Sequence, residues 1–244
     1  MSEALKADPF LDFGNSKRTP GLKAIIWDVD GTLIDSRASI FRAAVEAAIA
    51  INIDPPTYDQ VRSIVGLSLF NALAMMRPDL DHERIAAYTY EFQQAYLRFH
   101  ADPEFHDALY PRADETLRAV KAEGWLMGMA TGQSRRGVNR NIAAYGWEDI
   151  FDCAFCADDG PSKPHPHMLE RNLETLAVCP QDAIMIGDTA HDIHMGREAG
   201  VRTIGVSWGF HTVEELQAAG AGQIVHDFME LKAALAVVPA HATA

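Results

Sequence analysis

The apolar run Leu22–Trp27 is cut off from every later strand candidate by a long stretch that reads as helical throughout. Between about Ser36 and His106, the segments Ser39–Ile51, Tyr58–Val65, Leu69–Met76 and His82–Ala101 each carry apolar residues at helical spacing. Pro55-Pro56, Gly66, Pro78 and Pro103 punctuate them. After Tyr110 the texture changes. A helix over Arg112–Glu123 stops at Gly124. Strand patterns at Leu126–Ala130, Phe151–Cys156, Ala183–Ile186, Arg202–Val206 and Gln223–Val225 then alternate with helices at Ser134–Tyr145, Pro166–Leu176, His191–Ala199 and Val213–Ala218, and a last helix follows. Such alternation means a parallel sheet covered on both faces. The expected architecture is a doubly wound α/β core, residues 22–35 and 108–238, with an all-helical domain, 36–107, inserted just after its first strand. Residues 1–21 read as a loose arm and the Ala-rich tail after Pro239 as frayed.

Charge narrows the function. The chain of 244 residues carries a formal charge of −13, which disfavours nucleic acid and anionic membranes as partners. An anionic substrate would then need local positive charge from a metal, a lysine or backbone amides. No continuous apolar core of a signal peptide appears near the start, and no stretch approaches the ~20 apolar residues of a membrane span. The odd count of cysteines, Cys153, Cys156 and Cys179, argues against a disulfide framework and for a reducing, cytoplasmic setting. Cys153 and Cys156 lie three apart in a strand-like run, so they face opposite sides and are expected to be structural.

Ligands of open α/β sheets bind at the carboxyl ends of strands. Asp28, Asp30, Gly31 and Thr32 follow the first strand, and Thr131 and Gly132 the second. The third leads to a loop with Ser162, Lys163 and Pro164, and the fourth to Gly187-Asp188-Thr189 with Asp192 beyond. Taken singly, these residue types are common as caps and turns. Asp28 and Asp30 resist that reading, because two acids at the tip of an apolar strand crowd charge with nothing to offset it. A hard cation among the acids resolves the problem, and Mg2+ binds through a few carboxylates plus substrate phosphate. Lys163 adds a point charge, Thr131 a hydroxyl, and the start of the helix at 134 a further anion seat.

Asp28-Val29-Asp30-Gly31-Thr32-Leu33-Ile34-Asp35-Ser36 resembles the first motif of the haloacid dehalogenase superfamily. Thr131, Lys163-Pro164 and Gly187-Asp188-Thr189-Ala190-His191-Asp192 resemble its second, third and fourth motifs, in order, and the likeness runs from Ala24 to about Leu235. The inserted helical segment, Leu109-Tyr110-Pro111 and Lys163-Pro164-His165-Pro166 resemble the phosphoglycolate phosphatase-like branch, which implies a Rossmann-like core with a helical cap.

The resemblance implies Asp28 as nucleophile and Asp30 as general acid–base, a division the chemistry of carboxylates supports. It implies Mg2+ held by Asp28, Asp188 and the backbone carbonyl of Asp30, with Asp192 a ligand through water or an orienter of Lys163. Thr131 and Lys163 would hold the transferring oxygens, and Gly31, Thr32 and Gly132 would lie against phosphate. Branches that cleave carbon–halogen or phosphonate bonds lack the second aspartate, and no lysine occurs between Lys23 and Lys121 to form a Schiff base from the cap. In the cap, Arg62, Gly66, Leu67, Ser68 and Arg77 read as a substrate loop, Gly66-Leu67-Ser68 reading equally as a turn with a helix N-cap, and Arg37, Arg42, Arg84 and Arg98 read as solvent-facing. The expected substrate is a small phosphorylated metabolite, with 2-phosphoglycolate first and pyrophosphate, a nucleoside monophosphate or a sugar phosphate open. Phosphoryl transfer by a mutase and a non-catalytic binding role on the same fold remain the alternatives.

Overall fold

The computed structural model describes residues 23–101, 105 and 107–236. The expected arm, Leu22 of the expected first strand, His106, and the tail lie outside the described residues. Strand β1 (Ala24–Trp27) is wholly buried. Ile25 and Trp27 enter one apolar cluster, and Ala24 and Ile26 enter the other. That period of two with both faces covered is what a central strand of a parallel sheet requires.

The chain then makes β2 (Ile34–Asp35) and four helices: α1 (Arg37–Ala50), α2 (Tyr58–Arg62), α3 (Leu69–Met76) and α4 (His82–Ala101). It returns through β3 (Ala108–Leu109), α5 (Ala113–Ala122), β4 (Leu126–Ala130), α6 (Arg135–Tyr145) and β5 (Cys153–Phe155). Then come α7 (His167–Leu176), β6 (Ala183–Gly187), α8 (Ala190–Glu198), β7 (Arg202–Val206), α9 (Val213–Ala219), β8 (Gln223–Val225) and α10 (Phe228–Ala236). Six strands form a parallel sheet in the order β5-β4-β1-β6-β7-β8. The order runs outward from β1 to β5, then jumps back across β1 to β6. This reversal opens a crevice at the carboxyl ends of the central strands.

Leu117 and Val120 of α5, Val138 of α6 and Leu231 of α10 cover one face of the sheet. Met168, Leu169 and Leu173 of α7 and Met195 of α8 cover the other. The inserted helices have their own core. Ile85, Tyr88, Phe92, Ala95 and Phe99 recur along α4 at steps of three and four and pack against Ala43, Ala44, Ala47 and Ala48 of α1, whose small side chains let the two helices approach closely.

The structure corrects the reading of residues 34–35 and 108–109, which carried no strand pattern. They form an antiparallel pair, Ile34 with Leu109 and Asp35 with Ala108, so the two crossings between core and cap lie side by side. Two residues are too few to display an alternation. The helix expected over 58–65 stops at Arg62, and the chain turns through Gly66 at φ 96°. The capping box between Thr57 and Gln60 starts it.

Cys153 packs with the cluster under α7, and Cys156 is buried in the opposite one. Burial pushes the Cys153 thiol up to about 12 and the Cys156 thiol up to about 11, so neither is a ready thiolate. Among the described residues, no helix is long and apolar enough to cross a membrane.

Candidate active site

Four strand ends converge at the crevice. Asp28 leaves β1 with its backbone N–H donating to Ile186 O of β6 at 2.9 Å, which fixes where its side chain starts. Oδ1 accepts from Lys163 Nζ at 2.5 Å. Oδ2 is buried and has no hydrogen-bond partner.

Lys163, in the loop after β5, is buried and also donates to Asp192 Oδ1 at 2.6 Å. Asp192 sits in the first turn of α8, where it completes a capping box with Thr189. Its Oδ2 accepts from Thr189 Oγ1 at 2.7 Å and Thr189 N at 3.1 Å. Both oxygens of Asp192 are therefore engaged, and one of them holds Lys163 in place. Asp188, at the end of β6, accepts from Thr32 Oγ1 at 2.9 Å and from Phe210 N at 2.7 Å.

Among the described residues, Asp28, Asp188 and Asp192 bring one carboxylate oxygen each to within 4.8 Å of one another, all buried. Burial raises the Asp28 pKa well above the usual carboxylate range; Lys163 opposes this, while Asp192 and Asp188 add to it. Burial, then Asp192, pushes Asp188 up to about 7 against the Phe210 amide and Thr32 hydroxyl. Burial also works against the Lys163 ammonium, but Asp192 and Asp28 outweigh it and its pKa is raised. Three acids share one buried cation here. An all-oxygen donor set with an orphaned carboxylate oxygen fits a hard divalent ion such as Mg2+.

Asp30 stands apart from that trio. Its Oδ2 accepts from Gln133 Nε2 at 2.7 Å, and its Oδ1 is buried without a partner. Gln133 is held in turn by Asn141 Nδ2, which donates to Gln133 Oε1 at 3.0 Å. Burial raises the Asp30 pKa and the Gln133 amide pulls it back. Asp28, Asp30, Thr131, Gly132 and Gly66 all line a cavity of about 300 Å³ between core and cap.

Other expected site residues lie elsewhere. Gly31 and Thr32, expected against phosphate, do not line this cavity. Thr32 turns its hydroxyl onto Asp188, and Gly31, at φ 86°, packs so tightly against Asp188 and Phe210 that a Cβ would collide with both. Ser68 begins α3 without a side-chain cap bond and donates its backbone N–H to Ser162 Oγ at 2.6 Å, so it ties the cap loop to the Lys163 loop. Gly132 is needed for a similar reason: a Cβ there would come within 2.5 Å of Leu67 O and 2.7 Å of Gly66 O. Arg62 adds a second tie, donating from Nη1 to Glu215 Oε2 at 2.9 Å. Arg37 is not free in solvent but paired with Asp35 through two bonds.

Gln133, Asn141 and Phe210 were not anticipated. Phe210 follows β7, a fifth strand end where the same rule applies. Gln133 lies two residues beyond Thr131, and only the fold brings it to Asp30.

With this geometry in place, likeness to known proteins is informative. Residues 25–206 match the haloacid dehalogenase-like hydrolase family. The chain is 31% identical over 209 residues to "Probable phosphatase IndB" of Dickeya dadantii, covering 85% of this chain and 90% of that one. It is 29% identical to a phosphoglycolate phosphatase of Psychrobacter arcticus, covering 85% and 93%. The crystal structure of a predicted phosphatase from Clostridium acetobutylicum superposes with a TM-score of 0.78 at 25% identity, over 88% of this chain and 99% of that one. The chain belongs to the haloacid dehalogenase-like hydrolases. Within that family the relatives compared are phosphatases by name, and phosphatase is the class they support for this chain.

Proposed function

We propose that the protein hydrolyses a small phosphate monoester in two steps on Asp28. The observation that carries this reading is the pair of buried, unpartnered carboxylate oxygens, Asp28 Oδ2 and Asp30 Oδ1, on residues that line one cavity. In the first step Asp28 Oδ2 forms a bond to phosphorus as the ester P–O bond breaks, and the departing alkoxide takes a proton from Asp30. In the second, Asp30 takes a proton from water, the hydroxide oxygen bonds to phosphorus, and inorganic phosphate leaves Asp28 as a free carboxylate. Lys163, fixed by Asp192, bonds Asp28 Oδ1 and opposes the effect of burial on its charge, and its ammonium would meet the transferring oxygens together with the Thr131 hydroxyl, which lines the cavity.

Asp28 and Asp188 would hold Mg2+, with the backbone carbonyl of Asp30 a further donor and Asp192 behind Lys163. When bound, the ion offsets the charge of the phosphate and of the acids around it.

Hydrolysis is favoured over a mutase reaction by the cap. Return transfer requires a cation there to hold a second phosphate, and the cap arginines are engaged with neighbouring carboxylates and carbonyls. 2-Phosphoglycolate follows from the family resemblance and is a first ester to assay. The test is release of inorganic phosphate from p-nitrophenyl phosphate, expected with Mg2+ and absent in excess chelator. Full activity in chelator would defeat the reading, and so would hexose phosphate isomerisation that outpaces phosphate release.

A further inference from the structure

The cavity above Asp28 and Asp30 has two unlike walls. The core side is polar. The cap side is mostly apolar, with Ile40, Ile64, Leu67, Leu69, Phe92 and Leu97, and only Gln93 and Tyr96 bring polar side chains to it. Phe92 and Tyr96 lie with their rings nearly parallel, 11° apart with centroids 6.1 Å from one another, and both line the cavity.

No cation reaches the cavity from the cap. The cap has no lysine, and none of its six arginines lines the cavity among the described residues. Arg37 pairs with Asp35, Arg42 and Arg98 with Glu46, Arg62 with Asp59 and Glu215, and Arg77 with Asp79, while Arg84 donates to Ile51 O. The two arginines that do line it, Arg136 and Arg140, come from α6 of the core. Arg140 is committed to Asn141 Oδ1 at 3.3 Å and to the face of Tyr96, 5.2 Å from its centroid. Arg136 is exposed at the helix start. A second anionic group placed on the cap side would thus be pressed against apolar side chains with no cap cation to meet it, a costly arrangement.

We infer that the preferred substrate is a phosphate monoester whose alcohol carries an uncharged, flat apolar body, not a second anion, and that Phe92, Ile64 and Leu69 select it. This rests on the phosphatase reading and sharpens it: esters such as 2-phosphoglycolate, and pyrophosphate, are poor substrates for this chain. The volume, about 300 Å³, is that of a small ligand pocket and admits a single ring beside the phosphate.

The experiment compares kcat/KM for 2-phenylethyl phosphate and 2-phosphoglycolate, both esters of primary alcohols, so leaving-group chemistry weighs little. The aromatic ester is expected to be favoured by at least about tenfold, the scale of one or two well-packed apolar groups. Phe92→Leu, which keeps an apolar side chain in the α4 core, should lower that preference several-fold. Leu69→Arg, at a half-buried position, should raise activity on 2-phosphoglycolate relative to the aromatic ester. Equal or better turnover of 2-phosphoglycolate or pyrophosphate by the native protein overturns the inference and leaves the phosphatase reading standing. Calorimetric binding of 2-phenylethylphosphonate against phosphonoacetate, with Mg2+ present, reads the pocket without turnover. Tighter binding of the aromatic phosphonate supports the inference even if no ester is hydrolysed, in which case the phosphatase reading alone fails; tighter binding of phosphonoacetate overturns it.

Discussion

Gln133 donates its side-chain amide to Asp30 Oδ2 at 2.7 Å, and leaves Asp30 Oδ1 as the one oxygen of that carboxylate with no partner. The bond decides which oxygen meets the leaving group and the attacking water. Asn141, near the middle of α6, locks the amide the right way round by donating to Gln133 Oε1.

Removing that bond should shift the pH profile. The Gln133 amide favours the charged form of Asp30, so Gln133→Ala should raise the Asp30 pKa further. A bond to a charged group is worth about 1.5–3 kcal/mol, or roughly one to two pH units. The acid limb of kcat against pH, which reports the deprotonated Asp30 needed in the second step, should move upward by about that much. A profile identical to the native one would show that the bond is structural only.

Metal binding should be linked to pH through Asp188. Its pKa of about 7 in the folded, metal-free protein exceeds that of a free aspartate, ~3.9. Between those values the folded state keeps a proton that the unfolded chain has lost. The stability this proton contributes is full below about pH 4 and is lost as pH rises through about 7. Cation binding needs the carboxylate, so Mg2+ must displace the proton at low pH and binds without that cost above about 7. The Mg2+-induced rise in Tm should therefore be larger at about pH 7.5 than at about pH 5.5. Asp188→Asn should abolish the rise while leaving the metal-free protein at least as stable at neutral pH. An equal Mg2+ effect at both pH values, or one that survives Asp188→Asn, would remove Asp188 from the metal site.

Gly132→Ala should unseat the cap loop. The added methyl would meet two backbone carbonyls, Leu67 O at 2.5 Å and Gly66 O at 2.7 Å, and backbone cannot swing aside as a side chain can. The strain is on the order of 1–3 kcal/mol and falls on the contact between cap and core, away from either core. Melting temperature should fall by about 2–12 °C for this stress. kcat/KM for an alkyl phosphate that depends on closure should drop by about a hundredfold, as ångström-scale misplacements do. An activity loss no larger than the loss of stability accounts for would mean that the loop is free to move.

The strand-end motifs were legible because a doubly wound sheet confines chemistry to a few loops, and phosphoryl transfer restricts the residue types that can stand there. Strands Leu126–Ala130, Arg202–Val206 and Gln223–Val225 and helices Leu69–Met76 and His82–Ala101 carry clean periodicity, and the structure has them at those residues. What escaped the sequence depends on contacts between distant segments. The β2–β3 pair is two residues on each strand, too short for any alternation to register. The direction of Thr32 is set by Asp188, 156 positions away, and the partner of Asp30 by a glutamine 103 positions away. The need for glycine at 132 arises from the cap loop resting on it, a contact invisible in the local pattern.

The two acids of the first motif should fail differently when each is replaced by its amide. Asp28→Asn removes the oxygen that bonds to phosphorus, so no phospho-enzyme can form and every ester should be inert. Asp30→Asn leaves Asp28 with its free Oδ2 and its bond to Lys163. An alkyl phosphate needs a proton from residue 30 as its alcohol departs, so transfer from 2-phenylethyl phosphate or 2-phosphoglycolate should slow severely. p-Nitrophenolate leaves without a proton, so that ester should still phosphorylate Asp28 at a useful rate. Breakdown of the intermediate then lacks its base, because an amide cannot take a proton from water. The Asp30→Asn protein should release about one p-nitrophenolate per site in a burst and turn over slowly afterwards. The side-chain change is close to isosteric, and the new amide can present its oxygen to Gln133 Nε2, so the fold should persist and the burst should be readable. Mass spectrometry of the acid-quenched protein should find the phosphoryl group on the peptide that carries Asp28. Slow turnover of p-nitrophenyl phosphate with neither a burst nor a labelled Asp28 would overturn the division of labour between the two aspartates.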